Sequence, residues 1–251
     1  MLKVFIALST LNRKTITKLC LENLFNISKK DGATKLAIYD DASTAYDEVF
    51  LKQYSQDVLR FRITGGIERS RARSFRDFLY IHKEYDLFYM TDNDTIHDPN
   101  FINTLRDIYN ASTKSFEKKL PIGLYNSSFH SNPKNIVYEN NILSVRKTCP
   151  GVSQCYDRTM ISQMVDFINK NPEFETRYGF DYYWPASLGV PFIQTKVSYL
   201  EHFARDKHEK GIHSSFNIND HMKDFDRDRA ISPTPHLRDV RDEIINKIMK
   251  D

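Results

Sequence analysis

Two carboxylates one residue apart, Asp92 and Asp94 with Asn93 between them, close the apolar run Leu87-Phe88-Tyr89-Met90. A run that short, aromatic and abruptly ended suits a strand buried on both faces. Carboxylates that leave one strand end together converge on a hard divalent cation. Mn²⁺ and Mg²⁺ favour such oxygen ligands, and the diphosphate of a nucleotide completes the shell. The ordinary alternative is a polar loop in which Asp and Asn bond to their own backbone. The neighbouring strand ends discriminate between the two.

Leu2 to Leu8 reads as a first strand, followed by the polar loop Ser9-Thr10-Leu11-Asn12-Arg13. Thr15 to Ile27 carries Ile16, Leu19, Cys20, Leu24 and Ile27 at helical spacing, and Asp31-Gly32 breaks that helix. A second strand, Lys35 to Tyr39, ends in Asp40-Asp41-Ala42-Ser43, and a helix over Ala45 to Tyr54 follows. Leu59 to Thr64 is the third strand, running into Gly65-Gly66 and a basic helix from Arg69 to Ile81. Strand four is the one that ends in Asp92, and a helix over Asn100 to Tyr109 comes after Pro99. Alternation of this kind implies a mostly parallel, Rossmann-like sheet flanked by helices. Ligands of such sheets sit outside the carboxyl ends of the strands. Four strand ends, all polar and all facing one crevice, are more specific than any one of them.

These motifs, Ser9-Thr10-x-Asn12-Arg13, Asp40-Asp41-Ala42-Ser43, Gly66-x-x-x-x-Arg71 and Asp92-Asn93-Asp94, resemble in order and spacing those of the GT-A glycosyltransferases, the family 2 nucleotide-sugar transferases in particular. The resemblance covers Lys3 to Phe101 best. It implies an α/β GT-A fold with a C-terminal helical extension. It also implies a nucleotide-diphosphate sugar donor, a UDP-sugar foremost, bound with Mn²⁺ or Mg²⁺, and a saccharide or lipid-linked acceptor. Ser9, Thr10, Asn12, Arg13, Asp41, Gly66, Arg71, Asp92 and Asn93 would line the donor site, with Ser9 and Asp41 at the nucleobase and Arg71, or else Arg73, at the diphosphate. Asp92 and Asp94 would hold the metal. Arg69 and Arg76 are read as a solvated basic face.

The second half is less periodic. Leu120 to Tyr125 reads as a strand and Ile136 to Lys147 as a hairpin around Asn140-Asn141. Thr148 to Asp157 reads either as a buried connection or, by the resemblance, as a stretch beneath the donor sugar. A helix follows over Thr159 to Asn169. Asp181 opens a helix over Asp181 to Leu188, where Asp is also a preferred first-turn residue. By the resemblance it is the general base that takes the acceptor's proton, which points to inversion at the anomeric carbon. Tyr182, Tyr183 and Trp184 form an acceptor platform or part of the core. A strand over Pro191 to Leu200 delivers His202, read by the resemblance as third metal ligand with His213 as rival. Residues 204–229 are apolar-poor and read as a disordered stretch or a lid. Leu237 to Met249 is an amphipathic helix that packs on the domain or on another subunit, or else touches a membrane surface. The expected domains are 1–203, with halves 1–101 and 102–203, and a C-terminal lid and helix over 204–251.

Composition sets the outer limits. The 251 residues are 40% hydrophobic, enough for one large α/β domain, and the net charge of +3 is too mild to argue for nucleic acid. The three cysteines lack metal-site or disulfide spacing. Without a leader pattern or a membrane-length apolar run, a cytoplasmic protein is expected, peripheral to a membrane at most. Two rivals remain. A nucleotidyltransferase would want a glycine-rich loop after the first strand, and Ser9 to Lys14 has no glycine. A non-catalytic nucleotide-sugar-binding module would bind the donor without turnover.

Overall fold

The computed structural model describes residues 1–116, 118–127, 133–175, 180–203 and 230–248. Its centre is a nine-stranded sheet. The strands are β1 (Val4–Thr10), β2 (Thr34–Asp40), β3 (Asp57–Arg60), β4 (Leu87–Asp92), β6 (Ile122–Gly123), β7 (Ile136–Glu139), β8 (Leu143–Arg146), β9 (Gln154–Asp157) and β10 (Phe192–Thr195). They lie in the order β3-β2-β1-β4-β9-β6-β10-β8-β7, and β3, β2, β1 and β4 are parallel. A separate ribbon pairs β5 (Thr95–His97) with β11 (Leu200–His202), antiparallel. The helices are α1 (Lys14–Asp31), α2 (Glu48–Lys52), α3 (Ile67–Tyr80), α4 (Phe101–Ser115), α5 (Arg158–Lys170), α6 (Phe180–Ala186) and α7 (Pro235–Ile248).

Strand period decides how the layers form. In β1, Val4, Ile6 and Leu8 face a layer that takes in Cys20 and Leu24 of α1 and Phe101 and Leu105 of α4. Phe5 and Ala7 face the opposite layer, with Phe75 and Phe78 of α3 and Ile161 and Met164 of α5. β4 divides its side chains in the same way, Leu87 and Tyr89 against Phe88 and Met90. Both faces are covered, so these strands read as continuous apolar runs. Helix ends follow local chemistry. Gly32 closes α1 at φ 71, a left-handed value that suits glycine. Asp157 caps α5 by accepting from the Met160 N–H at 2.9 Å.

The expected first half is present, with strand and helix ends shifted by a few residues. Three features differ from expectation. Residues 154–157 form β9, a fully buried strand antiparallel to β4, where a connection was one of the two readings. The expected strand Pro191–Leu200 is two strands, β10 in the main sheet and β11 in the ribbon. Thr95 to His97 also forms a strand, immediately after the Asp92–Asp94 turn. The lid segment and His213 lie outside the described residues. Helix α7 packs on the domain: its Leu237 and Ile244 are buried with Ile16, Ile96 and Phe203. Among the described residues no helix is long and apolar enough to cross a membrane.

Candidate functional site

The tips of β1, β2 and β4 stand side by side, with Thr10 in register with Asp40 and Ser9 with Asp92. The loop after β1 turns sharply: Asn12 and Arg13 both take left-handed backbone, at φ 53 and 55. Ala42, after β2, does the same at φ 64. Non-glycine residues in this region cost about 1 kcal/mol or more each and cluster at functional sites. The turn aims the Arg13 guanidinium at the Asp92–Asp94 loop, where it meets Asp94 Oδ2 at 2.8 Å and Asn93 Oδ1 at 3.2 Å.

Asp92 pairs with Arg71, which projects from the first turns of α3 and is wholly buried. Burial raises the Asp92 carboxyl above its ordinary value against the pull of Arg71. Burial pushes Asp94 the same way, but Arg13 and His202 outweigh it and hold Asp94 well below the usual carboxylate range. His202 stands at the end of β11 with Nε2 3.3 Å from Asp94 Oδ1. Sequence positions 13, 71, 92, 94 and 202 thus come together at one place.

Several expected donor contacts spend their polar atoms inside the protein. Thr10 bonds to Asp40 at 2.9 Å and to the Tyr46 hydroxyl at 2.6 Å. Asn12 Oδ1 accepts from the backbone N–H groups of Thr44 and Ala45, at 2.8 and 3.1 Å, and so holds the loop after β2. Asn93 donates to Thr17 Oγ1 at 2.6 Å and to the Asn12 carbonyl at 3.2 Å. Asp41 accepts from the N–H groups of Gly65 and Gly66, both at 2.9 Å, and from Arg69 at 3.1 Å. Gly66 is the N-cap of α3, at φ 89. A Cβ at Gly65 would run into the Arg69 guanidinium. These residues build the cradle and fix its loops to one another. Ser9 is buried at the tip of β1.

Two other expectations need correction, those for Arg69 and Arg76, and the contacts of Arg73 and Trp184 bear on readings left open. Arg69 is not part of a solvated face: it pairs with Asp41 and its guanidinium lies 4.3 Å from the Phe61 ring centre. Arg76 grips Glu175 through two bonds, at 2.8 and 2.9 Å. Arg73, the alternative to Arg71, bonds to Asp77 at 2.8 Å. Trp184 is buried against Phe75, its indole N–H donating to the Phe174 carbonyl at 3.2 Å, so it belongs to the core. Asp181 lies on the first turn of α6, and its side chain is outside the described residues.

Sequence reasoning passed over the support beneath the Asp92–Asp94 turn. Thr95 Oγ1 donates to the Asp92 carbonyl at 2.8 Å and meets Thr91 Oγ1 at 2.9 Å. His97 Nε2 lies 3.0 Å from the Tyr89 hydroxyl, which also meets Ser153 at 3.0 Å. Burial pushes the His97 imidazole down to about 3. The sequence offers little signal here: Thr95-Ile96-His97 alternates polar and apolar residues, but over three positions only.

Among the described residues no three His, Cys, Asp or Glu side chains stand grouped so as to hold a metal ion. The donor chemistry nevertheless fits a divalent ion. Asp92, Asp94 and His202 offer two carboxylates and one imidazole, a set suited to Mn²⁺. Asp94 Oδ1 is buried beside His202 and accepts no hydrogen bond of good geometry, an arrangement that is costly unless a cation meets the oxygen. The Asp92 side chain keeps 17% of its surface and is open to the crevice.

No family model and no curated protein matches this sequence. Solved structures share its fold. S. aureus TarS 1–349 in complex with UDP-GlcNAc has a TM-score of 0.60 at 14% identity, over 86% of this chain and 61% of that one. A second crystal structure of S. aureus TarS 1–349 gives 0.58 at 12% identity, over 79% and 60%. The mannosyltransferase PcManGT from Pyrobaculum calidifontis, in complex with GDP-Man and Mn²⁺, gives 0.54 at 12% identity, over 76% and 54%. The fold is therefore that of the GT-A glycosyltransferases. This chain spans little more than half the length of those neighbours.

Proposed function

We propose that this chain is a metal-dependent glycosyltransferase that moves a sugar from a nucleotide-diphosphate donor to a saccharide or lipid-linked acceptor, with inversion, in the synthesis of a polysaccharide or glycoconjugate. The observation that carries the reading is the convergence of Arg13, Arg71, Asp92, Asp94 and His202 at the carboxyl ends of β1 and β4. Support comes from the two solved neighbours of the same fold that hold UDP-GlcNAc, and GDP-Man with Mn²⁺. Those ligands belong to those proteins, and a UDP-sugar is the first donor to try here.

Each residue has a physical task in this reading. Asp92, Asp94 and His202 hold the ion. The ion, when bound, offsets the charge of the diphosphate and acts as Lewis acid on the leaving group. Arg13 and Arg71 orient the two carboxylates and add positive potential where the diphosphate lies. Ser9 and Asp41 border the nucleobase, Asp41 with the loop of Gly65 and Gly66 that it braces, and Gly66 opens α3 towards the donor. Thr10, Asn12 and Asn93 keep that cradle in shape. Asp181 takes the proton of the acceptor hydroxyl as that oxygen bonds to the anomeric carbon and the nucleoside diphosphate departs.

A nucleotide-release assay over UDP-, GDP- and TDP-sugars, with Mn²⁺ or with EDTA, tests the proposal. Metal-dependent release from one donor is expected. Binding without release from any donor would make the chain a binding module. Pyrophosphate release from a nucleoside triphosphate would make it a nucleotidyltransferase.

A further inference from the structure

We infer that helix α7 belongs to the framework of the cation site, and that the ion pair between buried Glu201 and half-buried Arg241 sets where His202 and Asp94 stand. The inference rests on the reading of Asp92, Asp94 and His202 as cation ligands.

The β5–β11 ribbon has two faces, because side chains alternate along a strand. His202 stands opposite Thr95, on the face turned to β4 and the Asp92–Asp94 loop. Glu201 stands opposite Ile96, on the face that α7 covers. There the Glu201 carboxylate meets the Arg241 guanidinium at 2.6 Å, and its side chain keeps only 3% of its surface. Its other oxygen accepts from the Ala230 N–H at 3.2 Å. One side chain of the strand therefore faces the site while its immediate neighbour is tied to the last helix.

The rest of the ribbon is tied in the same direction. Thr234, just before α7, donates to Asp98 Oδ2 at 2.6 Å, in the loop that follows β5. Its N–H donates to the Ser198 carbonyl at 3.2 Å, just ahead of β11. At the other end, the Phe203 N–H donates to the Asp94 carbonyl at 2.7 Å. A shift of β11 along α7 would thus move both His202 and the Asp94 backbone. Apolar contact through Leu237, Ile244 and Phe203 holds the helix down but tolerates sliding. The ion pair fixes register, because displacement leaves the buried Glu201 carboxylate without its counter-charge. Glu201 and Arg241 are positioning residues that act through their neighbours.

The test is Mn²⁺ binding by the full chain in the presence of UDP, read from the electron paramagnetic resonance of free Mn²⁺. Four proteins are compared: the parent, Asp94→Ala, Glu201→Gln, and Lys247→Gln. The last breaks an exposed pair with Glu243 on the same helix and serves as control. Thermal melting accompanies each. Outer-shell partners of metal ligands are worth about 10–100-fold in metal affinity. We expect a loss of that size in Glu201→Gln, with Lys247→Gln equal to the parent. Should Glu201→Gln fail to fold, Arg241→Lys, which keeps the charge but not the planar fork, should lose about 10-fold while melting near the parent. Parent-like Mn²⁺ affinity in the folded Glu201 or Arg241 variant would overturn the inference and leave the cation site standing. Equal affinity in the parent and Asp94→Ala would overturn the cation site and this inference with it.

Discussion

Asp94 is the side chain on which a guanidinium from the β1 loop and an imidazole from β11 both close. Its replacement by Ala should remove Mn²⁺-dependent donor turnover by about 100-fold or more, the scale of losing a main electrostatic stabiliser of a leaving group. The fold should survive, since Arg13 keeps its bond to Asn93 Oδ1 at 3.2 Å. Turnover equal to the parent in a folded Asp94→Ala would contradict the assignment. At this scale the sequence was informative wherever chemistry is local. An Asp-x-Asp closing an apolar run is visible without any partner. The tasks of Asn12, Asp41 and Asn93 were not visible, because each depends on groups 24 to 81 positions away. A polar residue at a strand tip looks the same in sequence whether it meets a ligand or braces a loop.

The β5–β11 ribbon and its packing carry the next scale. Thr95 to His97 is three residues long and too short to show a period, so only pairing with a strand a hundred residues later makes it a strand. β9 was hard to read for a related reason: Gln154-Cys155-Tyr156-Asp157 is wholly buried and its polar residues bond inside the core. The long helices α1, α5 and α7, by contrast, announce themselves through apolar spacing. His97 gives the ribbon a pH signature. It is buried beside Tyr89, Thr91 and Phe101, and its backbone bonds to the Asn23 side chain. Its pKa is depressed in the fold, so the unfolded chain binds the extra proton first, at about pH 6.5. That part of stability is complete above pH 6.5 and falls away as pH drops towards the folded value of about 3. Denaturant titrations of parent and His97→Phe between pH 8 and 4 should show a steeper acid loss in the parent. Parallel curves would refute the burial of a neutral imidazole.

Across the molecule, the parallel half β3-β2-β1-β4 presents the donor cradle, and β9, β6 and β10 extend the sheet towards α5 and α6. Asp181 sits on that second half, and Trp184, three residues on, anchors α6 in the core beside Phe75 of α3. In the proposed reading, donor binding and proton removal depend on different elements. Asp181→Asn should bind the donor with parent affinity, measured by calorimetry, and lose transfer by at least about 100-fold, within the usual range for a general base. Equal transfer would remove Asp181 from that role. The central claim is that strand-tip carboxylates, bridged by a cation, hold an activated sugar. A crystal structure of the parent with Mn²⁺ and UDP tests it most directly. The account predicts an ion within about 2.0–2.3 Å of carboxylate oxygens of Asp92 and Asp94, of His202 Nε2 and of the diphosphate. Nucleotide bound elsewhere, or an Asp92–Asp94 loop still closed on Arg13 and Arg71 with no ion beside it, would contradict it.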